Sequence, residues 1–94
     1  MFARVTKYKM KTSSIDAAKA QVEQMKDQIM ALPGLQQFIN VIDDEGNGYV
    51  ISIVTDKATS DANADKVKAL WGQLADHLEA MPVPEGFDVN NNWS

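Results

Sequence analysis

What most narrows the fold of this chain is the order in which its hydrophobic periodicity changes. Residues 2–10 alternate and carry the strand formers Phe2, Val5, Thr6 and Tyr8, a period of two that predicts a β-strand. From Ile15 the apolar residues fall at spacings of three and four, through Ala18, Val22, Met25, Ile29 and Leu32. That is one stripe along a helix of about five turns, at 3.6 residues per turn. Ser13, with Asp16 three residues on, predicts the N-cap and an acidic first turn. Pro33-Gly34 predicts the stop, because proline cannot continue the ladder and glycine accepts the turn. Leu35–Ile42 and Tyr49–Thr55 return to strand character on either side of Asp43-Asp44-Glu45-Gly46-Asn47-Gly48, a polar loop that predicts a hairpin. Small polar residues over 56–62 suit a helix start. A second helical stripe follows at Val67, Leu70, Trp71, Leu74, Leu78 and Met81, ended by Pro82 and Pro84. Gly86 leads into a last strand, Phe87–Trp93.

This β-α-β-β-α-β order is the split arrangement of a ferredoxin-like fold. It predicts an α+β chain with an antiparallel four-stranded sheet and both helices on one face. No linker, repeat or low-complexity tract divides it, so 1–94 reads as a single domain. The strands are nevertheless apolar on both parities. Leu35, Ile39 and Val41 alternate with Phe38 and Ile42, and Tyr49, Ile51 and Ile53 alternate with Val50 and Val54. Whichever parity meets the helices, an apolar patch remains on the far side, larger than a monomer usually exposes. Two sheets packed face to face would cover it, so the expectation is a homodimer, a dimeric α/β barrel.

Composition decides several function classes. There is no Cys and one His, so neither disulfides nor a structural zinc site is expected, and no metal or other cofactor is expected. A formal charge of −4 argues against nucleic acid, which needs a basic face. No apolar run has membrane-spanning length. The early charges of Arg4, Lys7 and Lys9 do not suit a signal peptide, so a cytoplasmic protein is expected. Asp61–Asp65 and Asp43–Gly48 begin like calcium loops, but Lys66 and Gly72 stand where the first needs Gly and Glu, and Val54 where the second needs Glu. Asn92-Trp93-Ser94 is a glycosylation sequon that acts in secreted chains alone.

The candidate site residues are few. His77 is the one side chain of a type whose unperturbed pKa lies near neutrality, and a proton shuttle and a ring capping the core are both open to it. Arg4 shares parity with Thr6 and Tyr8. Because Ala3 and Val5 suit close contact with helices, Arg4 is expected on the barrel side, holding a substrate oxyanion or pairing with a carboxylate. Tyr8, Asn40 and Ser52 are polar groups in apolar strands and need partners if buried. Trp71 and Trp93 are core, interface or ligand-binding mass.

The opening strand Phe2–Tyr8, the Leu32-Pro33-Gly34-Leu35 junction, the Gly48–Thr55 strand running into a helix with Trp71, and a terminal strand ending in Trp93 together resemble one family. This is the antibiotic-biosynthesis-monooxygenase-like domain of the dimeric α/β-barrel superfamily, and the resemblance covers nearly the whole chain. It implies clefts between the helical layer and the sheet, or inside the barrel, lined by Asn, Trp, Tyr, Arg and His. It further implies a cofactor-independent monooxygenase acting on a small aromatic or quinone-like compound, with His77, Arg4 and Tyr8 as catalytic candidates and Asn40, Ser52, Trp71 and Trp93 as substrate-binding ones. A non-catalytic ligand-binding or structural dimer is the alternative. Haem-degrading relatives place an Asn on the first strand; here that strand offers Arg4, Thr6 and Tyr8, which argues against that branch.

Overall fold

The computed structural model describes residues 1–94. Four strands, β1 Phe2–Lys9, β2 Leu35–Ile42, β3 Asn47–Val54 and β4 Pro84–Asp88, form one sheet in the order β2-β3-β1-β4. Every neighbouring pair is antiparallel. Helices α1 Ile15–Gln24 and α2 Lys26–Met30 follow β1, and α3 Lys57–Ala62 and α4 Ala64–Gln73 follow β3. This is the ferredoxin-like α+β plan expected from the periodicity. No helix is long and apolar enough to cross a membrane.

The helices differ from the single long rods that the spacing predicts. The first is interrupted at Met25, whose N–H is shared between Gln21 O at 3.1 Å and Val22 O at 3.0 Å. Sharing a donor between the i−4 and i−3 carbonyls tightens the turn, and Met25 is buried there beside Ala18 and Ile29. Its N-cap is also not the expected one: Thr12–Ser14 form a 3₁₀ turn, and Ser14 caps α1 without a side-chain bond. The second helix breaks at Asn63. This buried side chain donates to Pro33 O at 2.9 Å and pins the helical layer to the Pro33-Gly34 turn. By contrast, Asp56 caps α3 as a carboxylate should, accepting from Thr59 N at 2.7 Å.

The helical stripe also ends earlier than Pro82. After a 3₁₀ turn at Ala75–His77, Leu78 is extended and bridges Met10. Lys11 N donates to His77 O at 2.8 Å and Glu79 N to Lys9 O at 3.0 Å. These backbone groups find partners on the end of β1, so the helix yields to a short strand-like pairing. The last strand sits earlier than Phe87–Trp93 for a related reason. Its register places Asp88 opposite Phe2, and one further bond, Val89 N to Met1 O at 3.1 Å, closes the pairing. Pro84 opens it on the sheet edge, where its missing donor costs nothing.

One face assignment is reversed. Phe2, Arg4, Thr6 and Tyr8 point at the helices, together with Phe38 and Asn40 of β2 and Val50 and Ser52 of β3. The bulky rings of Phe2 and Tyr8 fill the sheet–helix space, and Tyr8 belongs to the core with Met25, Ile29, Trp71 and Leu74. Ala3 and Val5 therefore lie on the open face, in cross-strand rows with Ile53 and Ile51. That face keeps the apolar surface expected of it: Ile39 is 44% exposed, Val41 47%, Tyr49 43% and Phe87 51%.

Candidate functional site

The site grows from β1. Tyr8 lies across its neighbour Gly48 on β3, a position at which any β-carbon would overlap the Tyr8 ring and the Val41 carbonyl. Glycine in a strand marks such an approach. With β3 bare at that point, the phenol reaches over to β2, where it donates to Asn40 Oδ1 at 2.6 Å, with Val41 O at 3.3 Å. Burial pushes the phenol pKa above its usual range, and the bond to Asn40 offsets this in part. Tyr8 is thus a standing neutral donor, not a base. Its ring packs on Trp71 of α4, with centroids 5.5 Å apart and planes tilted by 50°, a geometry favoured by the ring quadrupoles.

Arg4, two residues toward the chain start from buried Thr6, is half-buried. Its Nη2 donates to the Ser60 carbonyl of α3 at 3.0 Å. No carboxylate pairs with it; the single ion pair of the chain is Lys57–Asp61 on the surface. The guanidinium carries five N–H donors, so most of its bonding capacity is unspent on side chains of this chain.

Arg4, Tyr8, Asn40, Ser52 and Trp71 line one cavity between the sheet and the helices. Its volume is about 70 Å³, it is partly open to solvent, and its remaining walls are apolar except for Thr6. Arg4 is the one charged side chain among them. Two further candidates lie elsewhere. Trp93 is 87% exposed beyond the last strand. His77 sits in the 3₁₀ turn and faces a shallow outer groove with Gln21, Gln28 and Gln73. Gln21 Nε2 donates to Gln73 O at 2.7 Å, which turns Gln21 Oε1 toward His77 Nε2 at 3.1 Å. His77 Nδ1 is buried without a partner. No imidazole reaches the cavity, and no group of three His, Cys, Asp or Glu is placed to hold a metal. Thr6, 1% exposed, and Gly48 are the cavity-building residues that spacing does not single out.

No protein-family model and no curated protein sequence matches the chain. Solved structures do. A protein of unknown function from Nitrosomonas europaea superposes with a TM-score of 0.81 at 16% identity, covering 99% of this chain and 92% of that one. An antibiotic biosynthesis monooxygenase gives 0.76 at 16% identity, covering 97% of this chain and all of the other. A MhuD mutant with two manganese protoporphyrin IX bound per active site gives 0.77 at 12% identity, covering 100% of this chain and 99% of that one. The chain thus shares the fold of the antibiotic biosynthesis monooxygenases over its whole length. A porphyrin does not fit the cavity here. About 70 Å³ is less than the roughly 150 Å³ that holds one benzene, and the one imidazole faces away.

Proposed function

We propose that this chain binds a small phenolic or quinol-like molecule, its ring at the Arg4–Trp71 mouth of the cavity between sheet and helices, and oxidises it with dioxygen, without a cofactor of its own. The observation that carries this is the convergence of Arg4, Tyr8, Asn40 and Trp71 on one otherwise apolar cavity. Four of the five residue types expected to line such a cleft meet there. The shared fold with antibiotic biosynthesis monooxygenases supports the same reading.

In this reading the substrate oxygen lies on Arg4, whose free N–H groups favour the ionised phenol. The ring lies against Trp71 at the apolar mouth of the cavity. Ionisation raises the electron density of the ring, and the ring itself supplies the electrons to dioxygen. The balance is one phenol plus one O₂ giving one quinone plus one water. The ring carbon para to the hydroxyl loses its hydrogen and gains one oxygen atom as C=O, and the phenolic hydrogen leaves with the other oxygen as water. Tyr8, held protonated, spends its one O–H on Asn40 Oδ1 and so orients that amide; it does not take the substrate proton.

A second reading, ligand binding without turnover, is favoured by the same walls: no carboxylate or imidazole lines the cavity to accept a proton. Oxygen uptake with α-naphthol separates the two. Monooxygenation consumes one O₂ per quinone formed, and Arg4→Met abolishes it. Saturable naphthol binding with no oxygen uptake above the protein-free rate leaves the binding reading alone. Either way the working unit is proposed as a homodimer joined through the open sheet face, supported by the exposed apolar surface at Ile39, Val41, Tyr49 and Phe87.

A further inference from the structure

A ring is too large for the cavity alone, and this raises the question of where the rest of a ligand lies. A groove of about 570 Å³ runs along the outside of α4, between that helix and the segment Met81–Gly86. It shares three walls with the cavity: Arg4, Val67 and Trp71. Arg4 therefore stands at the junction of two spaces, its guanidinium anchored by one bond to Ser60 O and facing both.

Resting on the reading that a phenolic oxygen binds at Arg4, we propose that cavity and groove form one continuous site for an alkyl-substituted phenol, its ring at the Arg4–Trp71 junction and its aliphatic tail in the groove. The charges of the groove decide the nature of the tail. Lys57 is paired with Asp61 at 2.8 Å, and Lys68 and Glu85 stand unpaired on the same rim, so apart from Arg4 the formal charges of the rim sum to zero. The groove's other walls are apolar, among them Phe2, Met81, Pro82, Val83 and Pro84. Val83 is 79% exposed, an apolar surface that a bound tail would cover.

The test is calorimetric titration of phenol, meta-ethylphenol, meta-butylphenol and meta-hexylphenol, which leave the para carbon free, into the full chain. Affinity rises by up to about fourfold per methylene, the fold-change equivalent to ~0.8 kcal/mol per buried CH₂. Ala64→Trp, at an exposed groove position on the first turn of α4, abolishes the chain-length dependence while phenol binding persists. Val83→Asp, on the opposite wall, does the same and serves if Ala64→Trp does not fold. A flat series in the parent, or a slope that survives both substitutions, overturns the continuous site while leaving phenol binding at Arg4 intact. If phenol itself binds no better to the parent than to Arg4→Met, the reading it rests on fails first, and the continuous site fails with it.

Discussion

At the scale of single residues, Gly48 and Tyr8 behave as one device. Gly48→Ala pushes a β-carbon into the phenol, and overpacking of this kind costs about 1–3 kcal/mol. The expected outcome is a lower urea midpoint with an unchanged slope, together with loss of ligand binding as Tyr8 leaves Asn40. A Gly48→Ala chain as stable as the parent would show that Tyr8 does not lie where β3 leaves room for it. Tyr8 also makes a pH prediction. Its folded pKa is raised above an unfolded value of about 10. The folded chain therefore keeps a proton that the unfolded chain has lost, and stability present below pH ~10 declines as pH rises through the folded pKa. Tyr8→Phe removes that part of the alkaline decline, measurable as a flatter melting-temperature profile above pH ~10. Asp43 and Asp56 work in the opposite sense. Backbone N–H bonds hold both carboxylates below their usual range, so their contribution is present above pH ~4 and is lost as pH falls through the folded values.

At the scale of elements, Asn63 joins two pieces of helix and ties them to the turn before β2. Asn63→Ala leaves the Pro33 carbonyl without its donor, at a cost of about 1–3 kcal/mol, readable in equilibrium urea unfolding. An unchanged midpoint would mean that the turn is held by its glycine alone. The number, order and type of the elements are legible in the periodicity, because each strand and stripe keeps its own period. Their ends are not, because ends depend on partners far along the chain. Leu78 leaves the helix to bridge Met10, and β4 takes its bounds from its pairing with β1. The site follows the same division. Shared parity puts Arg4 and Tyr8 on one face, and that holds. Which face meets the helices cannot be read, since both parities are apolar and small Ala3 and Val5 suit either layer. His77 lies outside the cavity for a different reason: the stripe through Leu78 and Met81 assumes that the helix continues, whereas a 3₁₀ turn begins two residues after Gln73 and turns the ring to Gln21. Trp93 leaves the site with the overlong last strand. Gly48 carries a readable signal, a glycine within reach of strand pairing, but hairpin punctuation explains it equally well.

At the scale of the molecule, the open face and the cavity make separate claims. Ile39→Asp places a charge on the exposed row without touching the sheet–helix core. The expected outcome is a shift from dimer to monomer in light scattering, with the far-ultraviolet spectrum of the fold retained. A parent already at the 10.4 kDa mass of one chain at micromolar concentration would contradict the dimer. The cavity is a separate claim, since its walls lie on the helix side of the sheet and the exposed apolar surface lies on the other. Its central claim is that Arg4, free of any carboxylate partner, stabilises a phenolic oxyanion beside Trp71. The most direct measurement is the visible titration of para-nitrophenol with saturating protein. Bound to the parent chain it should ionise at lower pH than in buffer, the nitrophenolate band appearing earlier, and with Arg4→Met the two curves should coincide. Arg4→Met should melt within a few degrees of the parent, because it removes one bond to a backbone carbonyl and no ion pair. An ionisation curve unmoved by the parent chain, or moved equally by parent and Arg4→Met, would contradict the account.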